Sequence, residues 1–151
     1  MRFLLLNGPN MDMLGKRDPS IYGTGTLAEL EAFVKAYAEA RGHFVVAFQS
    51  NHEGVLIDVI HAAPERFDGI IYNPGAHTHY SYALRDAVDA ISIPVVEVHI
   101  SDIHARAAAG EAFRGVSVIA PVCIAQISGL GWEGYCRALD ILIEKIGENE
   151  G

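Results

Sequence analysis

The 151-residue chain has only two cysteines, Cys123 and Cys136, and they form no CxxC pair. A disulfide framework and paired-thiol redox or zinc motifs are therefore excluded. No apolar run is long enough to span a membrane, and Phe3-Leu4-Leu5-Leu6 is too short for a signal-peptide core. A cytoplasmic location is the expectation that follows. Positive charge is also scarce: 11 Lys and Arg stand against 19 Asp and Glu, a formal net charge of −8. Nucleic acid needs a basic face for its phosphates, so that class of partner is excluded. A small anionic substrate remains open, provided that Arg and His cluster locally. A phosphate-binding P-loop is missing as well. Six residues separate Gly8 from Gly15-Lys16 where that motif has four, and Arg17 stands where Ser or Thr would hold magnesium.

What is present is an alternation of apolar runs and amphipathic segments, with half of all residues hydrophobic. Strands are expected at Arg2–Asn7, His43–Phe48, Asp68–Tyr72, Ile93–Val98 and, briefly, Val116–Ile119. Between them lie helical patterns. Thr26-Leu27-Ala28-Glu29 is a capping box, Gly42 closes that helix, and Asn51 is the expected cap of the next. Further helices are read at Tyr82–Ile91, about Ala105–Phe113 and Trp132–Ile146, with 147–151 as a frayed tail. Nearly all-apolar strands alternating with helices predict an α/β fold: a five-stranded parallel sheet covered on both faces, in the flavodoxin-like doubly wound order. No repeat or linker divides the chain, so one domain over 1–151 is expected.

In such sheets ligands bind beyond the carboxyl ends of the strands. There the first strand delivers Asn7 and Asn10, followed by a glycine-rich loop, about 15–25, that carries Arg17 and Tyr22 and reads as a lid. The third delivers Asn73, His77 and His79, and the fourth delivers His99 and Ser101. These residues suit proton transfer on a polar, hydroxylated anion. Tyr22 is a poor base at its ordinary value near 10 unless a cation favours the phenolate, and Arg17, five residues away, is the candidate cation. Each also has a plainer reading: Tyr22 as a packed loop aromatic, Arg17 as a solvated charge, His99 as a satisfied core histidine, and Asn73 as a turn cap. His43, His52 and His61 have no visible partners and are read as structural.

Several motifs in register carry a resemblance across essentially the whole chain. They are Asn7-Gly8-Pro9-Asn10, Gly15-x-Arg17-x-Pro19-x-x-Tyr22-Gly23, Gln49-Ser50-Asn51-x-Glu53-Gly54 and Asn73-Pro74-Gly75-Ala76-x-Thr78-His79. Glu97-Val98-His99-Ile100-Ser101 and Gly129-Leu130-Gly131-x-x-Gly134-Tyr135 follow. Together they resemble the type II 3-dehydroquinate dehydratase family. The resemblance implies a hydro-lyase of the shikimate pathway that converts 3-dehydroquinate to 3-dehydroshikimate by anti elimination through an enolate, with no metal or organic cofactor. By the same resemblance Tyr22 is the base, Arg17 its cation, and Asn10 the amide that positions the enolate-stabilising water. His99 is the acid, Asn73, His79, Ile100 and Ser101 are substrate contacts, and Asp86 is lent to a neighbouring subunit in a dodecamer built from trimers.

Met11-Asp12, Asp102 and Ala125 depart from the family pattern, and the largest departure is at Arg106 and Arg114. The family has two arginines four residues apart, whereas these are eight apart, so four inserted residues are inferred. Phe113 is expected to anchor Arg114 against the core, while Arg106 precedes the small stretch Ala107-Ala108-Ala109-Gly110 with little to fix it. Arg114 is therefore the expected clamp for the substrate carboxylate. Two other readings compete: a metal-dependent hydrolase on His77, His79, His99 and His104, whose spacing matches no common zinc motif, and a non-enzymatic flavodoxin-like module. The latter fits poorly with Asn7 and Asn73 where a phosphoacceptor site needs carboxylates.

Overall fold

The computed structural model describes residues 1–151, the side chain of Glu150 excepted. Five parallel strands form one sheet in the order β2-β1-β3-β4-β5. They are β1 (Arg2–Asn7), β2 (Phe44–Gln49), β3 (Gly69–Asn73), β4 (Val95–His99) and β5 (Ala125–Ser128). The helices are α1 (Pro19–Tyr22), α2 (Leu27–Glu39), α3 (Glu53–Ala62), α4 (Tyr82–Asp89), α5 (Ile103–Ala108) and α6 (Glu133–Glu150). The order is the doubly wound one that the alternation predicts.

Alternate residues of each strand enter opposite layers, as the pleat requires. Phe3, Leu5, Ile71, Val96 and Val98 meet Leu30 and Val34 of α2 and Leu139 and Leu142 of α6. Leu4, Leu6, Ile70, Tyr72 and Val95 meet Leu56 and Ile60 of α3 and Leu84 and Val88 of α4. The Thr26 capping box forms as the sequence predicts, with both reciprocal hydrogen bonds. Gly42, at φ 76°, closes α2: its N–H bonds the Glu39 carbonyl while His43 N–H bonds that of Ala38, the paired pattern that only a left-handed residue completes.

Five local expectations are corrected. Val116–Ile119 is not the fifth strand. It is a connection whose Val118 N–H donates to the Thr78 carbonyl at 2.7 Å, and Val116 is 57% exposed. Ala125–Ser128 takes the edge position beside β4 instead. The helix read through Phe113 stops at Ala108, and a separate 3-10 turn follows at Ala112–Gly115. Asn51 does not cap α3; its side-chain oxygen accepts from the Asn10 N–H at 2.9 Å. Phe113 does not anchor against the core. It is 56% exposed, with its ring edge-on to His79 at 5.4 Å and under the Arg114 guanidinium at 4.7 Å. The last helix continues past Ile146 to Glu150.

The register aligns the carboxyl ends. Asn7 pairs in register with both Gln49 and Asn73, and His99 with Ser128. The turn after β1 also touches the turn after β3. Gly8 N–H donates to the Asn73 carbonyl at 2.7 Å, and a β-carbon on Gly8 would lie 2.8 Å from the Pro74 oxygen.

Candidate active site

The side chains at these strand ends enclose a cavity of about 170 Å³. Asn10, Arg17 and Tyr22 line it from the first loop, and Asn73 and His79 from the β3 end. His99, Ile100 and Ser101 line it from the β4 end, with Arg106 and Arg114 beyond them. A larger cleft of about 640 Å³ shares Tyr22, Ile100, Ser101 and Arg106 with it. That cleft runs along Gly23, Gly25 and Trp132 and lacks His99, Asn10 and Asn73, so the candidate residues gather in the smaller space.

The loop after β1 reaches the cavity through a single helical turn. Asp18 starts it by accepting from the Ser20 N–H at 2.9 Å, and Pro19 supplies the first-turn φ. Tyr22 ends that turn with its phenolic oxygen facing two guanidiniums. Arg17 Nη2 donates to it at 2.8 Å and Arg106 Nη1 at 2.9 Å. Arg17 also lies over the ring, 3.8 Å from its centroid. Further along this loop, Gly25 presses on Trp132; a β-carbon there would lie 2.2 Å from the indole Cζ2. Asn10 stands at φ 67°, a left-handed conformation that asparagine tolerates, and its N–H is held by Asn51.

His99 is backed by a buried carboxylate. Glu97 and His99 are two apart on β4, hence on one side of the sheet, and His99 Nε2 lies 2.7 Å from Glu97 Oε1. Thr78 donates to the same carboxylate, as do Ser117 at 3.0 Å and Gln126 Nε2 at 3.1 Å. Burial alone would raise the Glu97 carboxyl, but the hydrogen bond and charge of His99, with the Thr78 and Ser117 hydroxyls, hold it below the ordinary range. Glu97 is thus a fixed anion that orients the imidazole. His79 differs: burial pushes it below its ordinary value, which outweighs the opposing hydrogen bond to the Val116 carbonyl at 2.7 Å. It faces the cavity as a neutral ring whose Nδ1 donates to that carbonyl.

Under the cavity, Asn73 Nδ2 donates to the Tyr135 oxygen at 2.9 Å, and Tyr135 donates in turn to Asn7 Oδ1 at 2.9 Å. Burial pushes the Tyr135 phenol well above its ordinary value, so it is a neutral donor.

The class II dehydroquinase family model matches residues 1–143. The chain belongs to that family. It is 55% identical to the 3-dehydroquinate dehydratase of Bacillus pumilus, over 96% of each chain. It is 56% identical to that of Bacillus cereus, over 97% of this chain and 98% of the relative. Among solved structures, the type II dehydroquinase of Butyrivibrio crossotus superposes with a TM-score of 0.89 at 46% identity, covering 95% of this chain and 97% of that one. The Propionibacterium acnes type II dehydroquinase gives 0.87 at 41%, covering 93% and 94%.

In this class II dehydroquinase the four imidazoles of the hydrolase reading do not converge. His77 is buried beside Tyr80, and His104 bonds Gln126. Among the described residues no three His, Cys, Asp or Glu side chains form a group able to hold a metal ion. Asp86 is exposed on α4 and does not line its own chain's cavity. Sequence reasoning gave no role to Glu97, Tyr135 or Glu111. The i, i+2 spacing of Glu97 and His99 on an apolar strand was a usable signal for the first; the other two meet their partners only through the fold.

Glu97 yields a pH-dependent prediction. Its ordinary value is 4.5 and its folded value lies lower, so its contribution to stability is full above that ordinary value and is lost as pH falls through the folded one. Urea unfolding free energies taken from about pH 6 to about pH 3 should fall less steeply for Glu97→Gln than for the unaltered chain. Parallel pH curves would mean that Glu97 does not carry this dependence.

Proposed function

We propose that this chain is a shikimate-pathway hydro-lyase that removes water from 3-dehydroquinate to give 3-dehydroshikimate by anti elimination through an enolate. The observation that carries the reading is a tyrosine oxygen held by two guanidiniums, in one cavity with a histidine held by a buried carboxylate. An elimination of this kind needs a base at the carbon beside the ketone and an acid at the departing hydroxyl.

Tyr22, as phenolate, takes the proton alpha to the ketone, and its charge in that state is balanced by Arg17 and Arg106. The carbon–hydrogen electron pair becomes the enolate, whose oxygen is stabilised by a water that Asn10 positions. When the enolate collapses, the carbon–oxygen bond breaks and His99 gives the hydroxyl its proton, so water leaves and the enone forms. Asn73, His79, Ile100 and Ser101 hold the substrate, the last two partly through backbone N–H groups. Arg114 is the cation for its carboxylate, for which a guanidinium fork is suited. The loop about 15–25 closes as a lid over this single catalytic domain.

Support for a dodecamer of trimers comes from Asp86, an acid exposed on α4 and away from its own cavity, which a neighbour's site would use. Residence in the cytoplasm belongs to the same reading; among the described residues no helix is long and apolar enough to cross a membrane.

Ultraviolet absorption of the conjugated enone, followed after 3-dehydroquinate is added, tests the reaction itself. Tyr22→Phe should lower turnover by roughly two to four orders of magnitude with little change in binding; a variant with most of its turnover would remove Tyr22 from the mechanism. The two arginines should separate. Arg114→Ala should raise the Michaelis constant by the equivalent of about 1.5–3 kcal/mol, while Arg106→Ala acts chiefly on kcat; the reverse pattern would exchange their roles. Sedimentation should show a trimer or a multiple of it, and a fully active monomer at assay concentration would contradict the shared site.

A further inference from the structure

Arg106 and Arg114 are both largely covered, with 17% and 19% of their side chains exposed, yet both reach the same carboxylate, Glu111. Arg106 meets it edge-on: Nε lies 3.1 Å from Oε1 and Nη2 3.3 Å from Oε2. That fork fixes the plane of the guanidinium. The remaining nitrogen, Nη1, is the one that donates to Tyr22 at 2.9 Å and to Ser101 Oγ at 3.2 Å. Arg114 Nε donates to Glu111 Oε2 from the other side.

The stretch between Arg106 and Arg114 builds this arrangement. Ala107 and Ala108 complete α5, and Gly110 closes it at φ 125°. The Gly110 N–H bonds the Ala107 carbonyl at 3.2 Å, and the Glu111 N–H bonds that of Arg106 at 3.0 Å. This helix-closing pattern turns the chain back on itself, which returns Glu111 to the residue five positions earlier. The Glu111 carbonyl then accepts the Arg114 N–H at 2.9 Å, which starts the next turn and sets Arg114 on the same side. The alanines around Arg106 offer no side chain able to hold a guanidinium, so the one carboxylate does it.

We infer that Glu111 is a positioning residue: it holds Arg106 edge-on so that Nη1 stays on the Tyr22 oxygen during proton abstraction. The inference rests on the proposed role of Tyr22. Glu111 touches neither the reacting atoms nor Tyr22, so its effect on kcat passes through Arg106, while its contact with Arg114 bears on the Michaelis constant. Neutralising it frees the guanidinium to rotate away, and the phenolate loses one of its two cations.

A double-mutant cycle reads this directly. Glu111→Gln should lower kcat about tenfold in the unaltered chain and cause no further loss in an Arg106→Ala background, since coupled residues are non-additive. Glu111 is 43% exposed, and melting curves of all four proteins would confirm that each is folded at the assay temperature. An unchanged kcat in Glu111→Gln, or an equal loss in both backgrounds, would overturn the inference. If Tyr22→Phe is fully active, the reading of Tyr22 fails first; if Tyr22→Phe is inactive and the cycle is additive, only the role of Glu111 falls.

Discussion

The floor of this site hangs on one phenol shared by two buried amides at adjacent strand ends. Asn7 and Asn73 stand in register at the carboxyl ends of β1 and β3, both almost fully covered. An unpaired buried amide costs the full desolvation of its polar group, of order 1–3 kcal/mol. One phenol, Tyr135 of α6, joins them by accepting from Asn73 and donating to Asn7 Oδ1, while Asn7 Nδ2 is buried without a hydrogen-bond partner. The other oxygen of the pair, Asn73 Oδ1, accepts the Gly75 N–H at 3.0 Å and shapes the turn that carries His79 onward. The sheet, the last helix and the floor of the cavity are thereby locked in one geometry. Tyr22, a few residues into the lid, has the same functional group in the opposite surroundings: half-buried, with two cations on its oxygen. The same phenol is thus sealed among amides in one case and set between guanidiniums in the other.

The legible parts of the fold were those with strong periodicity. β1 to β4, α2 and α4 announce themselves by apolar runs, a capping box and a closing glycine, and the alternation fixes their parallel order. β5 was not legible, because Ala125–Ser128 is a four-residue edge strand with one buried side chain. The apolar Val116–Ile119 competes for the role and looks better in isolation. It lost because Val118 pairs with the backbone after β3 rather than with β4. Asn51 misled for a related reason: its side chain suits a helix cap, yet a partner 41 residues away in sequence claimed it.

The site was legible where side chains follow strand ends directly, as with Asn10, Asn73, His79, His99 and Ser101. Arg17 and Tyr22, five residues apart within one loop, were also readable as a pair. Arg106 was undervalued, because alanine neighbours suggest a loosely held side chain. The residue that holds it is brought back by a helix-closing turn, and no periodicity reveals such a return. Phe113 was misplaced by the opposite assumption, that a large apolar residue faces the core; here it covers His79 and Arg114 instead.

Trp132 and Tyr135 sit within one turn of each other at the start of α6. The first meets Gly25 of the lid, and the second carries the buried amides. One turn of α6 therefore borders the larger cleft and also supports the strand ends under the smaller cavity. Because residue 25 has no room for even a methyl group against the indole, the ring fixes how closely that end of the loop can approach α6. The spacing of these two side chains along α6 therefore sets the distance between that loop and the strand ends.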